Sequence, residues 1–287
     1  MATSPSGHPQ PATADPNGSD ESRASERRGR LRPTYLKRLS EYNLFAEPLR
    51  ELTPKSDTIA YQITTPLFSD YAAKHRVVRL PAGTSATYHP RDVFDFPIGT
   101  VIAKTFYYPA DMRDPDSPRD LVETRILIHE QTGWVGLPYV WNDDQTDASL
   151  SLTGASVDVE WVHDDGQHRS NTHLVPNFND CKRCHQNEKM EPIGPRAGFL
   201  NRDFDDIGDG RNQIDYWIEK KILVGAPDRS RIPRFAVWND RSTGTIDDRA
   251  RAWLDINCTL PQRYWSSSQL WIAPACRGNR SVSPGSL

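Results

Sequence analysis

The chain has 287 residues, a formal net charge of −3 and a pI near 6.2. That balance gives no electrostatic reason to expect nucleic acid or an anionic membrane as a partner. No run approaches the ~18 apolar residues of a spanning helix. Hydrophobic residues make up 36% and the length admits two domains. Eight Trp and ten Tyr, many in strand-like runs, point to a β-rich core.

Residues 1–33 are rich in Pro, Ser, Gly, Ala and charge and are predicted to be a disordered N-terminal segment. They carry no apolar core or cleavage pattern of a secretory signal. From Tyr35 to Leu49 the apolar positions Leu36, Leu39, Tyr42, Leu44 and Phe45 suggest a short helix. The period then becomes two. It predicts strands over Thr58–Thr64, His75–Leu80, Ser85–His89, Val101–Tyr108, Val122–His129, Val135–Trp141 and Val157–Val162. Turn signals such as Pro81-Ala82-Gly83 and Gln131-Thr132-Gly133 separate them. The pattern predicts an antiparallel β-sandwich or jelly-roll-like domain over 34–170, able to fold alone. Beyond Thr172 the character changes, with helices expected over Gln213–Leu223 and Ile246–Ile256. Strands followed by helices give an α+β multidomain chain, its boundary within 165–175.

Two of the four cysteines stand in Cys181-Lys182-Arg183-Cys184-His185. Attaching haem c requires two thiols that reach the two vinyl groups of one porphyrin, and an imidazole carried under the iron by the same turn. CxxCH meets that geometry. The string arises by chance roughly once in a thousand chains of this length at ordinary Cys and His abundance. The reading is covalent attachment through Cys181 and Cys184, with His185 as an axial iron ligand. A structural zinc site is the rival. It would need Cys258 and Cys276 as further thiolates, and these lack the second CxxC knuckle. A thioredoxin-like pair would need a βαβ unit, which the pattern does not suggest.

Further strings surround the motif. They are Thr65-Pro66-Leu67-Phe68-Ser69-Asp70-Tyr71, Phe96-Pro97-Ile98-Gly99-Thr100, Lys104-Thr105-Phe106, Glu123-Thr124-Arg125, Gly133-Trp134 and Tyr139-Val140-Trp141-Asn142. Val175-Pro176-Asn177, Pro192-Ile193-Gly194-Pro195, Leu200-Asn201 and Asn212-Gln213 follow. With these, the chain over about 42–258 resembles bacterial diheme c-type cytochromes with a β-rich N-terminal domain, often encoded beside a parallel β-helix protein. The resemblance implies a small cytochrome c-like haem domain over 171–258. Pro192-Ile193-Gly194-Pro195 also resembles the Gly-Pro step of many class I cytochromes, where a proline carbonyl often accepts the ligand histidine's other N–H. Pro195 is therefore the candidate to orient His185.

The resemblance also implies a second haem, introduced by a helix ending like Trp253-Leu254-Asp255-Ile256-Asn257-Cys258. Thr259-Leu260-Pro261-Gln262 stands where the second Cys-His is due, so Cys258 reads as the remnant of that site and one haem is assigned to this chain. With suitable codons, Thr259–Gln262 read one nucleotide later spells Arg-Cys-His. The tail 259–287 is thus expected to be the product of a frameshift.

The sixth iron ligand stays open. Met1, Met112 and Met190 are the only methionines, and His168 and His173 are possible imidazoles. Other candidate metal groups are the Asp143-Asp144, Asp164-Asp165 and Asp205-Asp206 pairs and the trio His75, His89 and His129. Asp pairs beside Gly or Asn are more often turns. The sequence thus predicts an electron-transfer protein with periplasmic redox partners, in line with haem c chemistry. The alternatives are a zinc-stabilised β-rich binding protein and a haem enzyme using an open sixth position.

Overall fold

The computed structural model describes residues 1, 35–181, 185, 190–203 and 210–259, with backbone alone for 258 and 259. The expected disordered segment, save Met1, lies outside them, as do Cys184, Asp205-Asp206 and residues 260–287. The described part is mostly β. Its strands are β1 (Ile59–Ala60), β2 (Ala73–Arg79), β3 (Ala86–Thr87), β4 (Val101–Pro109), β5 (Arg119–Glu130), β6 (Gly133–Trp141), β7 (Ala148–Leu150), β8 (Ala155–Val162), β9 (His168–Val175) and β10 (Leu223–Val224). The helices are short: α1 (Ala197–Leu200), α2 (Gln213–Glu219) and α3 (Ile246–Leu254), the last running into a π-helical turn over Asp255–Thr259.

One antiparallel sheet organises the fold, in the order β1-β2-β4-β5-β6-β7. Its central strands alternate β-branched, aromatic and small residues, which suit a pleated surface buried on both faces. Two rows of residues run across the sheet. Val78, Ile102, Leu127 and Gly136 stand side by side, and next to them run Arg76, Lys104, Arg125 and Pro138. Directly paired residues share a face, so both rows look the same way.

Instead of a second sheet of comparable size, the hairpin β8–β9 packs on one end of this face. Val159 and Trp161 meet Phe106, Tyr108 and Val122 there. The other end is covered by the segment that follows the motif. Ala197, Phe199, Leu200, Ile214, Trp217, Leu223, Ile232 and Ile256 share one apolar cluster with Tyr61, Ile63, Val78, Phe94, Phe96 and Ile102. Full burial of each such large side chain is worth about 1.5–3 kcal/mol. Polar ties reinforce it. The buried Gln213 amide accepts from Gln62 N at 2.7 Å and donates to Gln62 O at 2.9 Å, and β10 pairs parallel with β3 through Leu223 and Ala86. The apolar core therefore crosses the boundary expected within 165–175.

Residues 36–52 run along the opposite face, where the Tyr42 and Tyr139 hydroxyls lie 2.9 Å apart. The helix expected over Tyr35–Leu49 is absent. Two single 3-10 turns, Ser40–Tyr42 and Leu49–Glu51, stand in its place. Asn43 takes a left-handed φ of 55° and Pro48 follows, which ends helical continuation. Of the apolar residues picked out by that expectation, Leu39, Tyr42, Leu44 and Phe45 are nevertheless buried, while Leu36 is exposed. Among the described residues no helix is long and apolar enough to cross a membrane.

Candidate functional site

The chain leaves β9 at Val175 and turns immediately into the motif. Asn177 caps this turn: its side-chain oxygen accepts from Asn179 N at 2.9 Å and Asp180 N at 3.1 Å. The Asp180 carboxylate in turn accepts from Asn177 N at 3.3 Å, which is the logic of a capping box. The helical turn so started brings His185 N to Cys181 O at 3.2 Å. That one bond places the thiol and the imidazole on the same side, as attachment of one ligand to both requires.

Cys181 is buried and lies against β6 at Gly136. A Cβ built on Gly136 would stand 3.1 Å from Cys181 Cβ, 3.3 Å from its Sγ and 2.6 Å from Met190 Cε. Only glycine lets the motif sit this close to the strand. His185 Nδ1 lies 2.7 Å from the Glu191 carbonyl oxygen. A carbonyl only accepts, so Nδ1 carries the proton and the Nε2 lone pair is left for a metal. Burial, with the Lys104 cation beside it, holds this imidazole down near a pKa of about 4, hence neutral at physiological pH.

This bond corrects the expected role of Pro195. Pro195 lines the same cavity, but its carbonyl accepts Phe94 N at 3.1 Å, tying residue 195 to the β segment. The carbonyl that orients His185 belongs to Glu191, six residues on.

Cys181, His185, Pro192, Ile193, Gly194 and Pro195 form one wall of a cavity of about 170 Å³. That volume is below the roughly 300–1,000 Å³ of typical small-molecule and cofactor sites, so it is the chemistry of the lining that bears on a cofactor. The opposite wall is the sheet, where Ile102 and Leu127 supply apolar surface and Arg76, Lys104 and Arg125 supply charge. Ile256, two residues before Cys258, closes one side; the side chain of Cys258 is outside the described residues. A flat apolar ring bearing acidic groups suits such a lining, so the residues present fit a haem.

The cations were not singled out from the sequence. Residues paired across neighbouring strands have Cβ atoms roughly 5 Å apart. Two unit charges at that spacing repel by about 3 kcal/mol at an effective dielectric of about 20. Burial, then Arg125 and Arg76, holds the Lys104 ammonium well below the usual lysine range, and Lys74 in the next row is lowered to about 7 by burial and by Arg76. One carboxylate answers directly: Glu123 takes Arg125 Nε at 2.6 Å and Nη2 at 3.0 Å. The signal was present. Lys104 interrupts Val101-Ile102-Ala103 and Thr105-Phe106 at a position whose parity matches Ile102.

Other candidate groups are scattered. His173 is buried with Nε2 3.0 Å from Glu123, and His168 begins the exposed end of β9. His75 packs near Phe45, His89 receives Asp92 N at 2.8 Å, and His129 stacks on Trp134 at 4.6 Å. Met112 Sδ lies 3.2 Å from His163. Asp165 accepts Gln167 N in the β8–β9 turn, and Asp143-Asp144 lie in the turn between β6 and β7. Among the described residues no three His, Cys, Asp or Glu side chains gather as metal ligands. The cysteine set of the zinc reading falls mostly outside those residues.

Several strings that carried the family resemblance have structural work here. Asn212 donates to the Asn201 side chain at 3.0 Å, Asn201 to Ile232 O at 3.1 Å, and Asn257 accepts Phe68 N at 2.8 Å. Thr105 and Thr124 pair their hydroxyls at 2.8 Å across β4 and β5. Buried amides and hydroxyls of this kind fix how the loops around the cavity join. Compared with known proteins, the chain matches no protein family, no curated protein and no solved structure.

Proposed function

We propose that this chain is a c-type cytochrome that holds one haem through thioethers at Cys181 and Cys184, takes His185 as axial iron ligand, and passes single electrons within a periplasmic redox system. The family behind that reading is the diheme c-type cytochromes with a β-rich N-terminal domain, with the second site reduced to Cys258. The observation that carries the proposal is the bond from His185 Nδ1 to the Glu191 carbonyl, at the edge of a cavity that also contains Cys181. Metal-ligating histidines characteristically donate their other N–H in this way, which fixes the tautomer and raises ligand basicity. The iron, when bound, supplies the one-electron couple. The chain's own residues orient the imidazole, press the ring between sheet and loop, and limit water at its apolar edge.

The test is a pyridine haemochrome spectrum of protein produced with an export signal and a cytochrome c maturation system. The expected band is that of haem bound by two thioethers, at one haem per chain. A chain without haem, under conditions where a control cytochrome is matured, overturns the proposal.

A further inference from the structure

We propose that Arg76, Lys104 and Arg125 form an anion-receiving wall that takes the carboxylates of the group bound beside Cys181 and His185. This rests on the haem reading above, under which those carboxylates are the haem propionates.

Arg76 on β2, Lys104 on β4 and Arg125 on β5 are direct neighbours on one face, and all three line the cavity. Like charges set opposite each other across a sheet are destabilising, and charges out of water more so. Arg76 is only 8% exposed, and among the described residues neither Arg76 nor Lys104 meets a carboxylate within ion-pair distance. Phe106 offers partial relief, with the Lys104 ammonium 4.9 Å and the Arg125 guanidinium 4.4 Å from its ring centre. Glu123 neutralises one charge of the row. Asp180, the one carboxylate among the described residues that line the cavity, is the neighbour of Cys181 in the chain.

A buried row of three basic side chains, two of them without a carboxylate partner among the described residues, is built for an acid that arrives from outside. Arg presents a planar fork suited to carboxylates, and Lys a point charge between two such forks. With Glu123 already on Arg125, two carboxylates would match the remaining two basic groups of the row. Reduction adds one electron at the iron, so fixed cations nearby favour the reduced form and raise the reduction potential.

The experiment uses haem-loaded protein and reads potential and vibrational spectrum together. Lys104→Met is expected to lower the reduction potential and shift the propionate bending band in resonance Raman. Lys104→Arg is expected to restore both toward wild type. Lys37→Met, at an exposed lysine on the residue 36–52 segment, is expected to change neither. A second measurement needs no substitution: the same band in wild-type protein is expected to shift in D2O, because its partners are exchangeable N–H groups. Haem present in every protein, with coincident potentials and no isotope shift, overturns the wall and leaves the haem reading standing. No haem in the wild type overturns both.

Discussion

Cys181 lies directly over the Cα of Gly136, so that a single methyl at residue 136 would come within 3.1 Å of the cysteine Cβ. The helical turn of the motif is thereby fixed against the middle of β6, at the sheet row that also carries Ile102 and Leu127.

Gly136→Ala is expected to displace Cys181 and cut the yield of covalent haem several-fold, and Gly136→Val to cut it further. Overpacking of this kind typically costs about 1–3 kcal/mol. Adding Met190→Ala should rescue only part of the loss: it removes the 2.6 Å contact with Met190 Cε and leaves the one with Cys181. Haem staining per unit protein, with thermal unfolding alongside, measures this. Full rescue by Met190→Ala would show that the thiol does not sit against the strand.

A fragment of residues 36–175 is expected to give a β-rich circular dichroism spectrum yet bind a hydrophobic dye and self-associate. It keeps the six-stranded sheet but loses Phe199, Leu200, Ile214 and Trp217 from the cluster that covers Tyr61, Phe94 and Phe96. An apolar face of that kind left in water is an aggregation liability. A monomeric, cooperatively folding, dye-silent fragment would mean that the sheet closes its own core.

Stability should fall between pH 6.5 and pH 4 partly through His75. Burial, followed by Arg119 and Arg76, lowers its pKa from the ordinary 6.5 to about 4, and its Nδ1 has no hydrogen-bond partner. The unfolded chain takes up the proton that the folded chain resists. The contribution is therefore intact above 6.5 and is lost as the pH drops toward 4, by about 3 kcal/mol. Denaturant titrations of His75→Phe across that window should show a shallower loss than wild type. Parallel profiles would show that His75 titrates alike in both states.

Much of the sheet could be read in the sequence because its strands obey the two-residue period and are rich in β-branched and aromatic residues. Val101–Tyr108 and Val135–Trp141 fall within β4 and β6, and the expected Val157–Val162 within β8. β9 escaped notice because its residues, His168 to Val175, are mostly polar and exposed; only His173 and Val175 are buried. β7 and β10 are too short for any period to show. The 35–49 segment misled because its apolar spacing fits a helix while Asn43 breaks one. Of the site, the motif was legible as a local string. Arg76, Lys104, Arg125 and Gly136 were not, since their meaning comes from strand register, which brings residues 76, 104, 125 and 136 beside residues 181 and 185. The Glu191 carbonyl was hidden for another reason: a backbone acceptor leaves no mark in the residue type.

The most direct test of the account is the intact mass of the denatured chain after production with an export signal and haem maturation. The account predicts a mass increased by one haem that survives unfolding, is lost in Cys181→Ala/Cys184→Ala, and is retained in Cys258→Ala. An unmodified mass for the wild type, or a haem adduct that persists in the double variant, would contradict it.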